Sequence, residues 1–171
     1  MALYLIGSGP MQTTAAFAQL ATGTAIKTLM QLKASATASL KIVEWGCSFD
    51  GFTPAAPGKV ELIETGTVAA TVTAFATADI TKLDAQALAG GDPVTNLIQV
   101  GTTSSGYNAS AEGSIVAVRN LHGPQFISNT TQYNFQFPLG REPTLQINGV
   151  ARIRVTFAAT VNAYAYMIVD I

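Results

Sequence analysis

Alternating apolar and polar residues dominate the chain and predict β-strands. Lys41 to Asp50 alternates in this way, as a half-buried strand does. The apolar positions that share one face of this segment are Val43, Trp45, Cys47 and Phe49. Asp50-Gly51 supplies a turn, and Lys59 to Thr65 follows as the partner strand. The pattern therefore predicts a hairpin with a long loop.

The C-terminal part of the chain repeats this pattern. Aromatic residues alternate in Gln132 to Leu139, and Thr144 to Ile147 is a short strand. Asn148-Gly149 is a strong two-residue hairpin signal before the strand Val150 to Ala158. Val161 to Ile171 is apolar on both faces, which predicts a strand that is central in a sheet or covered by a neighbour.

The middle of the chain is less regular. Ile26 to Ala34 and Ser114 to Leu121 predict further strands, whereas Thr102 to Gly113 is rich in Gly, Ser, Thr and Asn and predicts a surface loop. Asp79 to Leu88 fits a short helix or an ordered loop that crosses between sheets. Together the segments predict an all-β chain, a jelly-roll-like antiparallel β-sandwich with at most one short helix.

The N-terminal stretch, Met1 to Thr24, has a few large apolar residues among Ala, Thr and Gly and lacks the charge of a disordered tail. It is either an arm that orders against another subunit or the first strand of the sandwich. Residues 25–171 are predicted to form a single β-sandwich domain. Tyr164 and Tyr166 share a face of the last strand. The residues that we predict for an interface are Leu3, Tyr4, Leu5, Ile6, Phe17, Tyr164 and Tyr166.

Charge is scarce in this chain. Only 11% of the 171 residues are charged, against roughly 25% in an average soluble domain. A membrane span does not explain this, because the longest apolar stretch, Val68 to Ala78, is interrupted by threonines and is shorter than the about 20 residues required. Burial against other chains explains it better, because obligate interfaces are depleted in charge. A net charge of −1 with scattered arginines argues against a nucleic-acid partner.

Candidate chemistry is sparse, and we predict no catalytic residue, cofactor or metal site. The one histidine, His122, rules out a multi-histidine metal site within one chain. It lies in a predicted loop, and no G-x-S-x-G elbow accompanies it. Cys47 alternates with core residues and is predicted to be a buried thiol. The N-terminus has no basic region of the kind that begins a signal peptide.

Three runs of residues resemble a known family. They are Ile26-Lys-Thr-Leu-Met-Gln-Leu32, Leu40-Lys-Ile-Val-Glu-Trp-Gly-Cys-Ser-Phe-Asp-Gly51 and Lys59-Val-Glu-Leu-Ile-Glu-Thr65. Phe137-Pro-Leu-Gly-Arg-Glu-Pro143 and the closing strands over Arg152 to Ile171 also fit. Over about two thirds of its length the chain resembles the small virion proteins of tailed bacteriophages that are described as head decoration (cement) or minor capsid proteins. It differs from them in its apolar N-terminal stretch and in the Ser/Gly-rich segment before Ser114.

The resemblance implies a structural protein and not an enzyme. Its expected partners are a major capsid protein and further copies of itself, in a homotrimer or another homo-oligomer, without nucleic acid or membrane. Its expected location is the capsid surface of the virion, after assembly in the host cytoplasm. The alternative is a trimeric carbohydrate- or receptor-binding module of the tail-fibre kind that uses Tyr164, Tyr166 or Tyr107. An enzyme that uses His122 or a pair of carboxylates ranks third.

Overall fold

The computed structural model describes residues 2–11, 16–51, 57–83, 98–113 and 116–171, and it is built almost entirely from β-strands. In chain order the strands are β1 (Leu3–Gly7), β2 (Leu20–Ala21), β3 (Lys27–Lys33), β4 (Leu40–Asp50), β5 (Gly58–Glu64), β6 (Thr71–Ala74), β7 (Ile80–Lys82), β8 (Gly106–Ala111), β9 (Arg119–Ile127), β10 (Gln132–Gln136), β11 (Thr144–Leu145), β12 (Val150–Thr156) and β13 (Asn162–Asp170). One turn of 3₁₀ helix, Thr77–Asp79, is the helical element of the described residues. The predicted all-β class is confirmed.

The strands form two antiparallel sheets that enclose one apolar core. The larger sheet has the order β10-β4-β13-β1-β7, with β11 also paired to β4 and β2 to β13. The smaller sheet has the order β6-β8-β3-β12-β5-β9. This confirms the predicted antiparallel sandwich. The strand order is compatible with a jelly roll, and the jelly-roll connectivity itself stays a prediction.

The last strand lies at the centre of the larger sheet, as its apolar pattern predicts. Strand β13 pairs with β4 on one side and with β1 on the other. Its inward side chains, from Ala163 to Val169, are buried, while Tyr164 and Tyr166 on its outer face are half-buried. Strand β12 has the matching place in the smaller sheet, between β3 and β5. Each sheet is therefore built around one of the two strands that end the chain.

Both predicted hairpins are wrong. Strands β4 and β5 belong to different sheets, so the connection after Asp50-Gly51 crosses the sandwich. Strand β11 pairs in the larger sheet and β12 in the smaller one, so the turn at Asn148-Gly149 crosses as well. Asn148 has a φ of 58° there, a left-handed conformation that asparagine tolerates. A turn signal between two strands shows that the chain reverses, but not that those strands pair.

The middle of the chain also differs from the prediction. The segment predicted as a loop over Thr102–Gly113 contains β8, which pairs with β3 and β6. Tertiary pairing thus overrides the weak strand propensity of its Gly, Ser and Asn residues. The strand predicted over Ser114–Leu121 begins only at Arg119 and runs to Ile127, so His122 lies in a strand and not in a loop. Residues 114 and 115 lie outside the described residues.

For Asp79–Leu88 the helix alternative is wrong where the structure describes the chain. Ile80–Lys82 is strand β7 at the edge of the larger sheet. The 3₁₀ turn before it carries the chain from β6 in the smaller sheet to β7 in the larger one. The chain thus crosses between the sheets just before the predicted segment, and the loop alternative is also wrong at Ile80–Lys82. Residues 84–88 of this prediction lie outside the described residues.

The N-terminal stretch supplies strands to the larger sheet. Leu3–Gly7 pairs with β13 and with β7, and Leu20–Ala21 pairs with the start of β13. Tyr4 and Ile6 point into the core and are 1% and 0% exposed. Of the two alternatives for Met1 to Thr24, the structure has a first strand at Leu3–Gly7. Met1 and residues 12–15 lie outside the described residues.

The core contains Trp45 and Cys47, as predicted. Burial raises the pKa of the Cys47 thiol to about 12, which keeps it protonated and unreactive. The pairing of β4 with β13 shifts register between Ile42 and Glu44. This bulge lets both Ile42 and Trp45 face the core while Val43 is only half-buried. The predicted alternation is therefore wrong at Val43.

Candidate functional site

Two tyrosines stand side by side on the outer face of the larger sheet. Tyr164 and Tyr166 lie on β13 with their ring centroids 6.4 Å apart and their planes within 23° of parallel. Tyr166 is directly opposite Gly46 of β4 and Gly7 of β1 in the strand register. This central position on a rigid sheet fixes the backbone of both aromatic residues.

Each tyrosine ring covers a glycine of a neighbouring strand. A Cβ atom at Gly7 would lie 3.1 Å from ring carbons of Tyr164, and one at Gly46 would lie 2.5 Å from Cε1 of Tyr166. These distances are too short for any residue with a side chain. The two glycines therefore create the space in which the rings lie across the strands.

Electrostatics differ between the two rings. The Tyr166 hydroxyl donates a hydrogen bond to the Glu44 carboxylate. Burial and this carboxylate together raise the pKa of Tyr166, and burial raises the pKa of Tyr164. Both phenols are consequently neutral near pH 7.

A groove adjoins Tyr164 at the side of β1. Its volume is about 370 Å³, at the low end of the range for small-ligand pockets. The side chains and backbone that line it belong to Leu5, Gly7, Gly9, Pro10, Met11, Phe17, Asp79, Thr81 and Tyr164. Phe17 packs edge to face on Tyr164 at a centroid distance of 5.1 Å, and a Cβ at Gly9 would lie 2.8 Å from its ring. Two aromatic rings in contact with each other therefore form part of the groove lining.

One carboxylate lines this groove. Asp79 accepts hydrogen bonds from the backbone N–H of Met11 at 2.9 Å and of Ala76 at 2.8 Å. These bonds use one lone pair on each oxygen, so both oxygens keep capacity for a further donor. The groove therefore combines apolar ring surface with an oriented hydrogen-bond acceptor.

The structure brings together five of the seven residues predicted for an interface. Leu3, Leu5, Phe17, Tyr164 and Tyr166 are half-buried and lie on or beside the outer face of the larger sheet. The prediction is wrong for Tyr4 and Ile6, because strand alternation turns their side chains into the core. Tyr107 also lies apart from this face, because it packs on Phe75 and against the core.

His122 belongs to an aromatic cluster that closes one edge of the sandwich. Its ring stacks on Phe135 at a centroid distance of 3.8 Å and meets Trp45 at 5.8 Å. Burial lowers its pKa, and its Nδ1 atom is buried without a hydrogen-bond partner among the described residues. A triad through His122 would need a carboxylate on that nitrogen. The described residues also contain no group of three or more side chains that could hold a metal ion.

Four charged side chains of this protein are buried. Arg154 and Glu61 pair across β12 and β5 at 2.8 Å, and both are nearly buried. Arg152 is fully buried and donates to the carbonyl oxygens of Val68, at 2.7 Å, and Glu112, at 2.9 Å. Glu64 is buried and pairs with Arg119. Some of the few charged residues therefore form ion pairs and hydrogen bonds within the smaller sheet and with the segments that cover it.

The remaining surface carries many apolar side chains. Among the described residues the exposed charged residues are Lys41, Asp50, Arg119 and Arg141. The exposed large apolar residues are Met11, Val68, Leu83, Val100, Val116, Val118, Phe126, Leu139 and Ile147. Three of these lie in the edge strand β9 or in the residues just before it. They are Val116, Val118 and Phe126, which are 71%, 68% and 73% exposed. We call these three side chains, which lie toward the two ends of β9 with the exposed Arg119 and Asn120 between them, the β9 edge patch.

Sequence reasoning missed most of the groove. It singled out the tyrosines from their alternation, but Gly7, Gly46 and Asp79 join them only through pairing between distant strands. The one sequence signal for Gly7 and Gly46 is a glycine within a strand pattern, which often marks a close approach of another group.

Comparison of the chain with protein-family models, with curated proteins and with solved structures finds no match. In the described residues no helix has the length and apolar character of a membrane span. Any statement of function therefore starts from the residues of this chain.

Proposed function

We propose that this chain is a structural virion protein that binds and stabilises a bacteriophage capsid shell as an oligomeric decoration protein. The observation that carries this proposal is the surface. Among the described residues, exposed large apolar side chains outnumber exposed charged ones. A surface of this kind gains stability when other chains cover it.

The buried ion pairs strengthen this argument. Glu61, Glu64, Arg152 and Arg154 are all buried. The surface is therefore poorer in charge than the 11% of the sequence indicates. Soluble monomers normally carry mixed surface charge that keeps them apart. A chain that buries four of its few charged side chains is suited to an assembly in which its faces are covered.

We assign shell docking to the β9 edge patch. Strand β9 is the outermost strand of the smaller sheet, so one of its sides has no strand neighbour among the described residues. Its exposed Phe126 is the kind of aromatic anchor that dominates the energy of interfaces. Many copies on a lattice would add modest individual contacts into strong retention.

The test uses the full chain and native particles that lack it. We expect the wild type to sediment as an oligomer, such as a trimer, at micromolar concentration and to co-sediment with shells. Phe126→Asp should abolish co-sedimentation, because a carboxylate buried against the shell would lack a partner. Ser110→Asp is the matched control, since it adds the same charge at an exposed position of β8 in the same sheet.

Two outcomes would contradict the proposal. One is a wild type that stays monomeric and has no affinity for shells. The other is equal loss of binding in Phe126→Asp and Ser110→Asp, which would show a general effect of added charge. Imaging of the decorated particle should place the chain on the outside of the shell with β9 against it.

A further inference from the structure

The outer face of the larger sheet has features that shell docking through β9 does not use. Tyr164 and Tyr166 form a nearly parallel pair, which we call the tyrosine platform. The platform lies at the centre of the larger sheet, whereas the β9 edge patch belongs to the smaller sheet. The two surfaces therefore require separate explanations.

Glycines set the orientation of the platform. Because Gly7 and Gly46 leave room beneath Tyr164 and Tyr166, the rings lie over backbone. Both residues are half-buried, so part of each ring remains open to solvent. A pair of flat aromatic surfaces on a rigid sheet is a stacking surface prepared before any ligand arrives, and preorganisation of this kind lowers the cost of binding.

Hydrogen-bonding groups border the platform. Glu44 lies beside Tyr166, and the side chain of the exposed Asn134 reaches the space above Gly46. On the other side, Asp79 and Thr81 line the groove next to Tyr164. The ligand that fits must therefore have one apolar face for the rings and hydroxyl or amide groups around its rim.

The charges of this surface narrow the choice of ligand. In the part of the chain that the structure describes, the charged groups that touch the platform or line the groove are the carboxylates Glu44 and Asp79. An anionic ligand would be repelled by them. An apolar partner surface, including a second copy stacked face to face, would bury both carboxylates without a cation, which is costly.

We propose that the tyrosine platform and the adjoining groove bind a neutral saccharide. A sugar ring offers a C–H face that stacks on a tyrosine and equatorial hydroxyls that donate to carboxylate oxygens. One ring stacks on the platform, and the next residue of the saccharide enters the groove between Phe17 and Asp79. The volume of the groove, about 370 Å³, limits the site to a short stretch of glycan.

The experiment measures binding of the full chain to an array of neutral oligosaccharides of glucose, galactose, mannose and N-acetylglucosamine. Positive members are then titrated by calorimetry and by ligand-observed NMR. Choline serves as a cationic probe on the same instruments. We expect a neutral oligosaccharide to bind and choline to show no saturable binding.

Variants locate the site. Tyr164→Ala and Tyr166→Ala should each weaken saccharide binding about 10-fold or more, as the loss of one aromatic stacking partner predicts. Tyr164→Phe keeps the ring and should bind within about 3-fold of the wild type, whereas Asp79→Asn should weaken binding. Phe126→Ala is the matched control, because it removes an exposed aromatic residue from the smaller sheet. Circular dichroism of each variant checks that it is folded.

Several outcomes would overturn the proposal. They are absence of binding to every neutral oligosaccharide, equal loss in Phe126→Ala and Tyr164→Ala, and saturable binding of choline in place of sugar. Dissociation of the oligomer by Tyr164→Ala, with no effect on glycan binding, would assign the platform to a subunit interface instead. Shell binding is not part of this experiment, so its failure leaves the decoration role standing.

Discussion

The buried ion pair between Arg154 and Glu61 permits a quantitative test of how this fold holds its charges. Glu61 Oε1 accepts hydrogen bonds from Nε of Arg154 at 3.1 Å and from Nη2 at 2.8 Å. The two side chains are 8% and 9% exposed. Glu61→Leu removes the carboxylate and leaves the guanidinium in the same low-polarity environment. The change therefore measures how much the Glu61 carboxylate contributes to the stability of this ion pair.

The magnitude follows from burial. Breaking a buried pair by removing one partner costs about 3–5 kcal/mol. For a chain of this size each kcal/mol lowers Tm by about 2–4 °C, so a fall of roughly 6–20 °C is expected. The double variant Glu61→Leu with Arg154→Met removes both charges and should recover most of this loss, because an apolar pair of similar volume is often neutral or stabilising. Lys59→Ala is the control: Lys59 is 33% exposed and lies 3.5 Å from Glu61, so its loss should cost less than about 1 kcal/mol.

Urea unfolding followed by the fluorescence of Trp45, which is fully buried, measures all four proteins. Two results would refute the reasoning. One is a loss of less than about 1 kcal/mol in Glu61→Leu. The other is a double variant as unstable as Glu61→Leu alone, which would show that packing and not charge carries the effect.

Two further perturbations test other parts of the structure. Burial lowers the folded-state pKa of His122 below its ordinary value of 6.5, so the unfolded state binds more protons than the folded state in that range. Stability should therefore fall as the pH drops below about 6.5. Urea titrations of His122→Phe should show a weaker dependence of stability on pH. A Cβ at Gly58 would lie 2.5 Å from Cζ of Phe157 and closer to other atoms of that ring. Gly58→Ala should thus destabilise the protein by about 1–3 kcal/mol, and Phe157→Leu in the same chain should relieve part of the strain; thermal melts showing no loss in the single variant would disprove this contact.

The strands of this protein were accessible from sequence because alternation is a local signal. The segment from Lys41 to Asp50 shows it clearly, and β4 has nearly those bounds. The pairing of strands was not accessible in the same way. The turn at Asn148-Gly149 is present, but it leads to the other sheet, and the strand after Asp50-Gly51 belongs to the other sheet as well. Which sheet a strand joins is decided by the packing of the whole core, which a window of ten residues does not contain.

The candidate site illustrates the same limit. Alternation predicted that Tyr164 and Tyr166 share a face, and the apolar N-terminal stretch added Tyr4 and Ile6 to the predicted interface. Strand geometry separates these sets, because Tyr4 and Ile6 occupy the inward positions of β1. The sequence could not show that Gly7 lies beneath Tyr164 or that Asp79 meets the groove from a different strand connection. Both facts depend on registers between segments that are far apart in the chain.

The two proposed surfaces differ in polarity, and this difference supports separate binding roles for the two sheets. The β9 edge patch is apolar and lies at the border of the smaller sheet, so it loses solvent favourably when a shell covers it. The tyrosine platform carries Glu44 and Asp79 at its rim, so it keeps its hydrogen-bonding capacity only while open to water or to a polar ligand. A chain that docks through β9 thus leaves uncovered the face for which burial is costly. Docking and saccharide binding should therefore be independent: shells saturated with this protein should bind the same oligosaccharides with the same intrinsic affinity as the free chain, increased only by avidity.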